Sequence, residues 1–221
     1  MATQTMTLAT SFKRSVEDIW GDIMNHPFLV ELGRDELPDE TLRFYFVQNV
    51  HYIDAAVRFT AQAAAKAPNE ASRSYCLELS QFGAEEVARQ RDYVEQLSAG
   101  VDVDWEIAPT AHAYTNHLLA VAAYEGTLEL LVALMPCEWT YDEFGTKLCN
   151  VVKHPVTCSW LASFGSDDHN DLSRRYIEIV EELGTGLPPQ AIARLLELFR
   201  LGTRYEWMFW DMAYTRQRWP V

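Results

Sequence analysis

Three observations predict an all-α chain folded as one helical bundle. Apolar residues recur at three- and four-residue spacing through most of the 221 positions. Alternating apolar–polar runs joined by Asn-Gly or Asp-Gly turns, the signature of hairpins, are missing. The prolines and glycines that interrupt the helical pattern do so as short turns, not linkers. A chain this long forms one domain with a sizeable core.

Phe12, Val16, Ile19, Trp20, Ile23 and Met24 share one helical face and predict a first helix that ends before His26-Pro27. Pro38 opens the next, which runs through Phe44-Tyr45-Phe46-Val47 to Lys66, apolar on nearly every face and therefore central. A third stretch follows from about Asn69 to Leu97, carrying Glu85 and Glu86, either of which could point inward. Ser98 to Pro109 is the longest loop. Helix resumes after Pro109, continues past Gly126 and through Pro136 to about Val152. His154-Pro155 opens a short helix that stops at Phe164-Gly165. Asp168–Leu183 and Pro188–Tyr214 complete the set around the Gly184-Thr185-Gly186 break.

Composition excludes several function classes. The net charge of −14 and a pI near 4.8 disfavour nucleic acid and anionic membranes, which need clustered Lys and Arg. The most membrane-like window, His117–Cys137, contains Glu125 and Glu129. The N-terminus lacks a basic region followed by an apolar run. Cys76, Cys137, Cys149 and Cys158 show no zinc-ligand spacing and read as reduced thiols, so a cytoplasmic location is expected. No acidic residue stands three before any histidine, so the Glu-x-x-His pairs of a di-iron bundle are absent and no metal is expected. His26 and His51 are lone histidines, weak grounds for haem. P-loop, dinucleotide and Gly-x-Ser-x-Gly motifs are absent.

Three constellations carry candidate chemistry. Cys137 follows Pro136, which removes a helical hydrogen bond, and Tyr141 stands one turn later on the same face. That is either an inert thiol in a kinked core helix or a nucleophile presented to a pocket. Glu206 lies within Tyr205-Glu206-Trp207-Met208-Phe209-Trp210. Buried there, it is a general acid or base with a raised pKa, or the partner of a buried arginine or tyrosine. Asn49 and Tyr52 share a face of the most apolar helix, satisfied either within the core or by a ligand.

Taken in order, these stretches resemble the TenA family, the thiaminase II proteins. The resemblance rests on His26-Pro27-Phe28, Leu37-Pro38, Phe44-x-x-x-Gln48, and Pro109-Thr110-Ala111-x-x-Tyr114. It continues in Leu134-x-Pro136-Cys137-x-Trp139-x-Tyr141-x-x-x-Gly145 and Tyr205-Glu206-x-x-Phe209-Trp210-x-Met212-Ala213-Tyr214. It delimits a domain over 11–214, between a flexible N-terminus at 1–10 and a C-terminal tail at 215–221. It implies a fold like that of haem oxygenase without haem, no cofactor, and a homotetramer. It further implies hydrolysis of an aminomethyl-pyrimidine to the hydroxymethyl form used in thiamin salvage, and cleavage of thiamin itself. In that resemblance Cys137 is the nucleophile, Glu206 the acid or base, and Tyr52, Tyr114 and Tyr141 line the pyrimidine pocket. Two positions depart from the pattern: Asn49 stands where the family has Asp, and Phe164 where it has a tyrosine. The implied alternative is a relative with an altered substrate, or a pyrimidine-binding module without catalysis, and Asn49→Asp would then raise hydrolysis.

Overall fold

The structure, a computed structural model, describes residues 7–162, Phe164 and residues 166–221. Among the described residues there are ten α-helices and no strand. They are α1 (Leu8–Arg14), α2 (Glu17–Met24), α3 (Pro27–Leu32), α4 (Asp39–Lys66), α5 (Glu70–Ser98), α6 (Pro109–Tyr124), α7 (Thr127–Leu148), α8 (Pro155–Leu161), α9 (Asp167–Leu183) and α10 (Pro189–Thr215). None is long and apolar enough to cross a membrane.

α4 is the central element. Phe44, Tyr45, Phe46, Val47, Gln48, Asn49 and Val50 are all buried, as its apolar circumference requires, and α5 packs along it. At their crossing, Gly83 puts its bare Cα where a Cβ would stand 3.2 Å from Val57. α7 and α10 cross more closely. A Cβ on Gly202 would fall 2.5 Å from the Ala133 carbonyl oxygen and 3.1 Å from Pro136. Glycine at 202 therefore lets the two helices approach beside Pro136-Cys137, and Glu206 follows one turn later.

Four boundaries differ from the sequence expectation. The expected first helix breaks at Ser15-Val16, where Arg200 donates to the Ser15 carbonyl at 2.6 Å and draws it out of the helical ladder. The His-Pro pair that ends α2 also starts α3, with Pro27 at its first position and His26 Nδ1 accepting from the Phe28 N–H. His26 is thus a helix cap. Glu125-Gly126 divides α6 from α7, because the Lys66 ammonium takes the carbonyls of Ala122, Ala123 and Glu125 that a continuing helix would use. Finally, residues 8–10, expected within the N-terminal tail, are helical: Glu181 accepts from the Leu8 and Ala9 N–H groups. Residues 1–6 of that tail, and Gly165 of the expected helix stop, lie outside the described residues.

α7 runs through Pro136 without interruption. Beyond α10 the chain turns at Arg216 (φ +51°) and packs back, Trp219 donating to the Ile107 carbonyl and Gln217 accepting from Thr110 N–H.

Candidate active site

A cavity of about 780 Å³ opens between α4, α5, α7, α8 and α9, large enough for a small heterocycle. α4 contributes a stripe at helical spacing: Asn49, Tyr52, Ile53, Ala56 and Thr60. Its neighbours Gln48 and His51 face elsewhere. Gln48 donates to the Glu106 carbonyl and accepts from Ala108 N–H, and His51 pairs with the Trp105 carbonyl, so both fasten the loop before α6.

α7 presents Leu134, Cys137, Glu138 and Tyr141 along the opposite wall. The Tyr141 hydroxyl shares a 2.7 Å hydrogen bond with the buried Tyr45, whose ring stacks on Trp210 at 5.4 Å. That fixes the Tyr141 ring against the cavity. Phe164 completes the wall, its ring lying where a Cβ on Gly145 would be.

Tyr114 and Glu206 are not on the wall but behind it. Tyr114 Oη donates to Glu206 Oε1 at 2.6 Å, and both side chains are buried. Burial raises the Glu206 carboxyl to about 7, although the Tyr114 hydrogen bond, with the Cys137 thiol and the Thr140 hydroxyl nearby, favours its charged form. The Cys137 thiol lies between this carboxyl and the cavity. Burial pushes it well above its ordinary value, and the negative charges of Glu206 and Glu138 add to the effect. At rest it is a thiol, and any nucleophilic step must move its proton as it attacks. Tyr52 Oη is close enough to influence the thiol but makes no hydrogen bond of ordinary geometry. The arrangement sets a thiol beside a carboxyl raised to about 7 under an aromatic-walled chamber, the pair of groups that covalent chemistry with acid–base help requires.

The structure therefore places Asn49, Tyr52, Cys137, Tyr141 and Phe164 on one cavity, with Tyr114 and Glu206 beneath Cys137. Four participants escaped the sequence reading. Tyr45 stands four before Asn49 and seven before Tyr52, so its spacing carried the signal. Glu138 also faces the cavity; burial raises its pKa, His169 opposes the rise and Asp142 reinforces it. Gln90 and Arg89 line the far wall beside Glu86, and only the α4–α5 packing brings them to Asn49. Of the adjacent pair Glu85-Glu86 in α5, Glu86 turns inward and Glu85 stays exposed.

Comparison with known proteins follows the same outline. Residues 13–216 match the profile of the TENA/THI-4/PQQC family. The aminopyrimidine aminohydrolase of Halalkalibacterium halodurans is 30% identical over 97% of this chain and 98% of its own. The solved TenA homologue from P. horikoshii OT3 superposes with a TM-score of 0.78 at 25% identity, covering 95% of this chain and 99% of that one. The haem oxygenase-1 structure from Synechocystis sp. PCC6803 shares the fold, with a TM-score of 0.62 at 13% identity over 95% of this chain and 93% of that one.

Proposed function

The chain belongs to the TENA/THI-4/PQQC family, and from that premise we propose that it is an aminopyrimidine hydrolase of thiamin salvage. In this reading an aminomethyl-pyrimidine and water become the hydroxymethyl-pyrimidine and ammonia, and thiamin is cleaved in the same way with its thiazole as leaving group. The observation that carries it is the contact of Cys137, at the cavity wall, with a buried carboxyl whose pKa is about 7.

The ring lies between Tyr52, Tyr141 and Phe164, with its amino edge on Asn49. Cys137 Sγ bonds to a ring carbon as its proton passes to Glu206, which Tyr114 holds in place. The added electron density expels the amine, which enters as its ammonium, from the exocyclic methylene as ammonia. Water then adds at that methylene and hands a proton to the medium. The carbon–sulfur bond breaks, and the thiol recovers its proton from Glu206. The covalent step divides one difficult displacement into two easier ones.

The test is to incubate the protein with aminomethyl-pyrimidine and with thiamin, following hydroxymethyl-pyrimidine by chromatography and ammonia by a coupled assay. Product from the first compound supports the reading. A second reading, binding without turnover, is favoured by the neutral amide at Asn49, which brings no proton to the ring; under it both compounds remain intact. The chain is further read as a cytoplasmic homotetramer. Light scattering behind gel filtration tests the assembly, and a mass near the 25.3 kDa of one chain contradicts it.

A further inference from the structure

Asn49 is the first member of a directed hydrogen-bond relay. Its Nδ2 donates to Gln90 Oε1 at 3.1 Å, and Gln90 Nε2 donates to Glu86 Oε1 at 2.6 Å. The other Glu86 oxygen accepts from Arg89 Nε at 2.6 Å. All four residues line the cavity, and Asn49 and Gln90 are only 5% and 1% exposed.

An amide turned end for end keeps its shape but exchanges donor for acceptor. Glu86 removes that freedom. A carboxylate paired with arginine only accepts, so the Gln90 NH2 must face it and the Gln90 oxygen must face Asn49. That oxygen also only accepts, so Asn49 must turn its NH2 toward Gln90. Reversing either amide would oppose two buried oxygens, at about 1–3 kcal/mol for the unmade bond alone. Polarity set at Glu86 is thereby transmitted through two side chains to the atoms that face the ligand. Asn49 uses one N–H on Gln90 and keeps Oδ1 and its second N–H. Side by side, these match an amino group next to an unprotonated ring nitrogen, as asparagine pairs with adenine. An oxo ring offers the reverse order, a carbonyl acceptor beside an N–H donor.

We propose that Gln90 and Glu86 are positioning residues whose relay locks the Asn49 amide, so that the cavity selects a neutral amino-substituted ring and rejects its oxo counterpart. The inference rests on the pyrimidine reading of the cavity and adds to it the residues that set the choice.

The test measures dissociation constants by calorimetry for hydroxymethyl-aminopyrimidine and for the same ring with a carbonyl in place of the amino group. The wild type is expected to prefer the amino ring by about 100-fold or more. Gln90→Leu, which leaves Asn49 free to turn, is expected to bind the two within about threefold. Adding Asn49→Asp to Gln90→Leu should restore the amino preference only as the pH falls and the amino ring gains a proton, because a carboxylate, which only accepts, then meets two donors on that ring and one on the oxo ring; a merely structural defect would not be rescued so. If Gln90→Leu fails to fold, Glu86→Gln takes its place, with the preference reduced at least about tenfold. An unchanged preference in the folded variant overturns the relay. Equal binding of both rings by the wild type also overturns it while leaving the hydrolase reading intact, and binding of neither ring overturns both.

Discussion

Glu206 has the largest consequence of any single residue, because its carboxyl rises from 4.5 to about 7 on folding. Below pH 4.5 it is protonated folded or unfolded, and burial costs nothing electrostatically. Between pH 4.5 and 7 the unfolded chain releases a proton that the folded one retains, so stability falls with rising pH, and above 7 the loss is complete at about 3 kcal/mol. Glu206→Gln keeps the acceptor for Tyr114 and removes the charge. Urea titrations should show it more stable than wild type at pH 8, by up to about 3 kcal/mol, and no more stable at pH 4.5. On the proposed mechanism, in which the ionised carboxylate takes the thiol proton, the same ionisation governs the rate, and kcat/KM should rise with pH through about 7 and then level. Residue by residue, the legible positions were those whose partners sit on one helix. Asn49 and Tyr52 declared a shared face through their spacing, and Pro136 marked Cys137. Gln90 could not be read, because its meaning arises only where α5 meets α4. The same contact revises the expected effect of Asn49→Asp. With Gln90 present, a carboxylate at 49 would confront the Gln90 oxygen, so activity should not rise unless Gln90 is changed too.

At the scale of elements, two glycines test how helix approach positions the chemistry. Gly202→Ala forces a methyl against the Ala133 carbonyl, which backbone cannot yield cheaply. It should destabilise the protein by about 1–3 kcal/mol and lower kcat by separating Glu206 from Cys137. Gly21→Ala in α2 meets nothing within 4 Å and should stabilise by about 0.5–1 kcal/mol without touching the rate. Thermal unfolding and steady-state kinetics on both variants separate the two effects. Most helices were legible because apolar spacing, Pro38, Pro109 and Pro155 are local signals. The breaks at Ser15-Val16 and Glu125-Gly126 were not, since each depends on a distant cation, Arg200 or Lys66, that takes carbonyls the local sequence would leave to the helix.

Across the whole molecule, helices far apart in the chain meet at one chamber, lined by α4, α5, α7, α8 and α9 with α6 and α10 behind it, and no segment alone holds the site. Asn49, Cys137 and Glu206 come from α4, α7 and α10, and the packing that unites them is also the packing of the core. This is why the ordered set of motifs was more informative than any one of them: Cys137 alone favoured an inert core thiol, and only its position beside Glu206 and the cavity supports the nucleophile proposed for it. The direct measurement is therefore kcat/KM on aminomethyl-pyrimidine at pH 8 for wild type and Cys137→Ser, with matched circular dichroism. The account predicts turnover by the wild type and a loss of about 10³-fold or more in the variant. Equal turnover by the two proteins would contradict it.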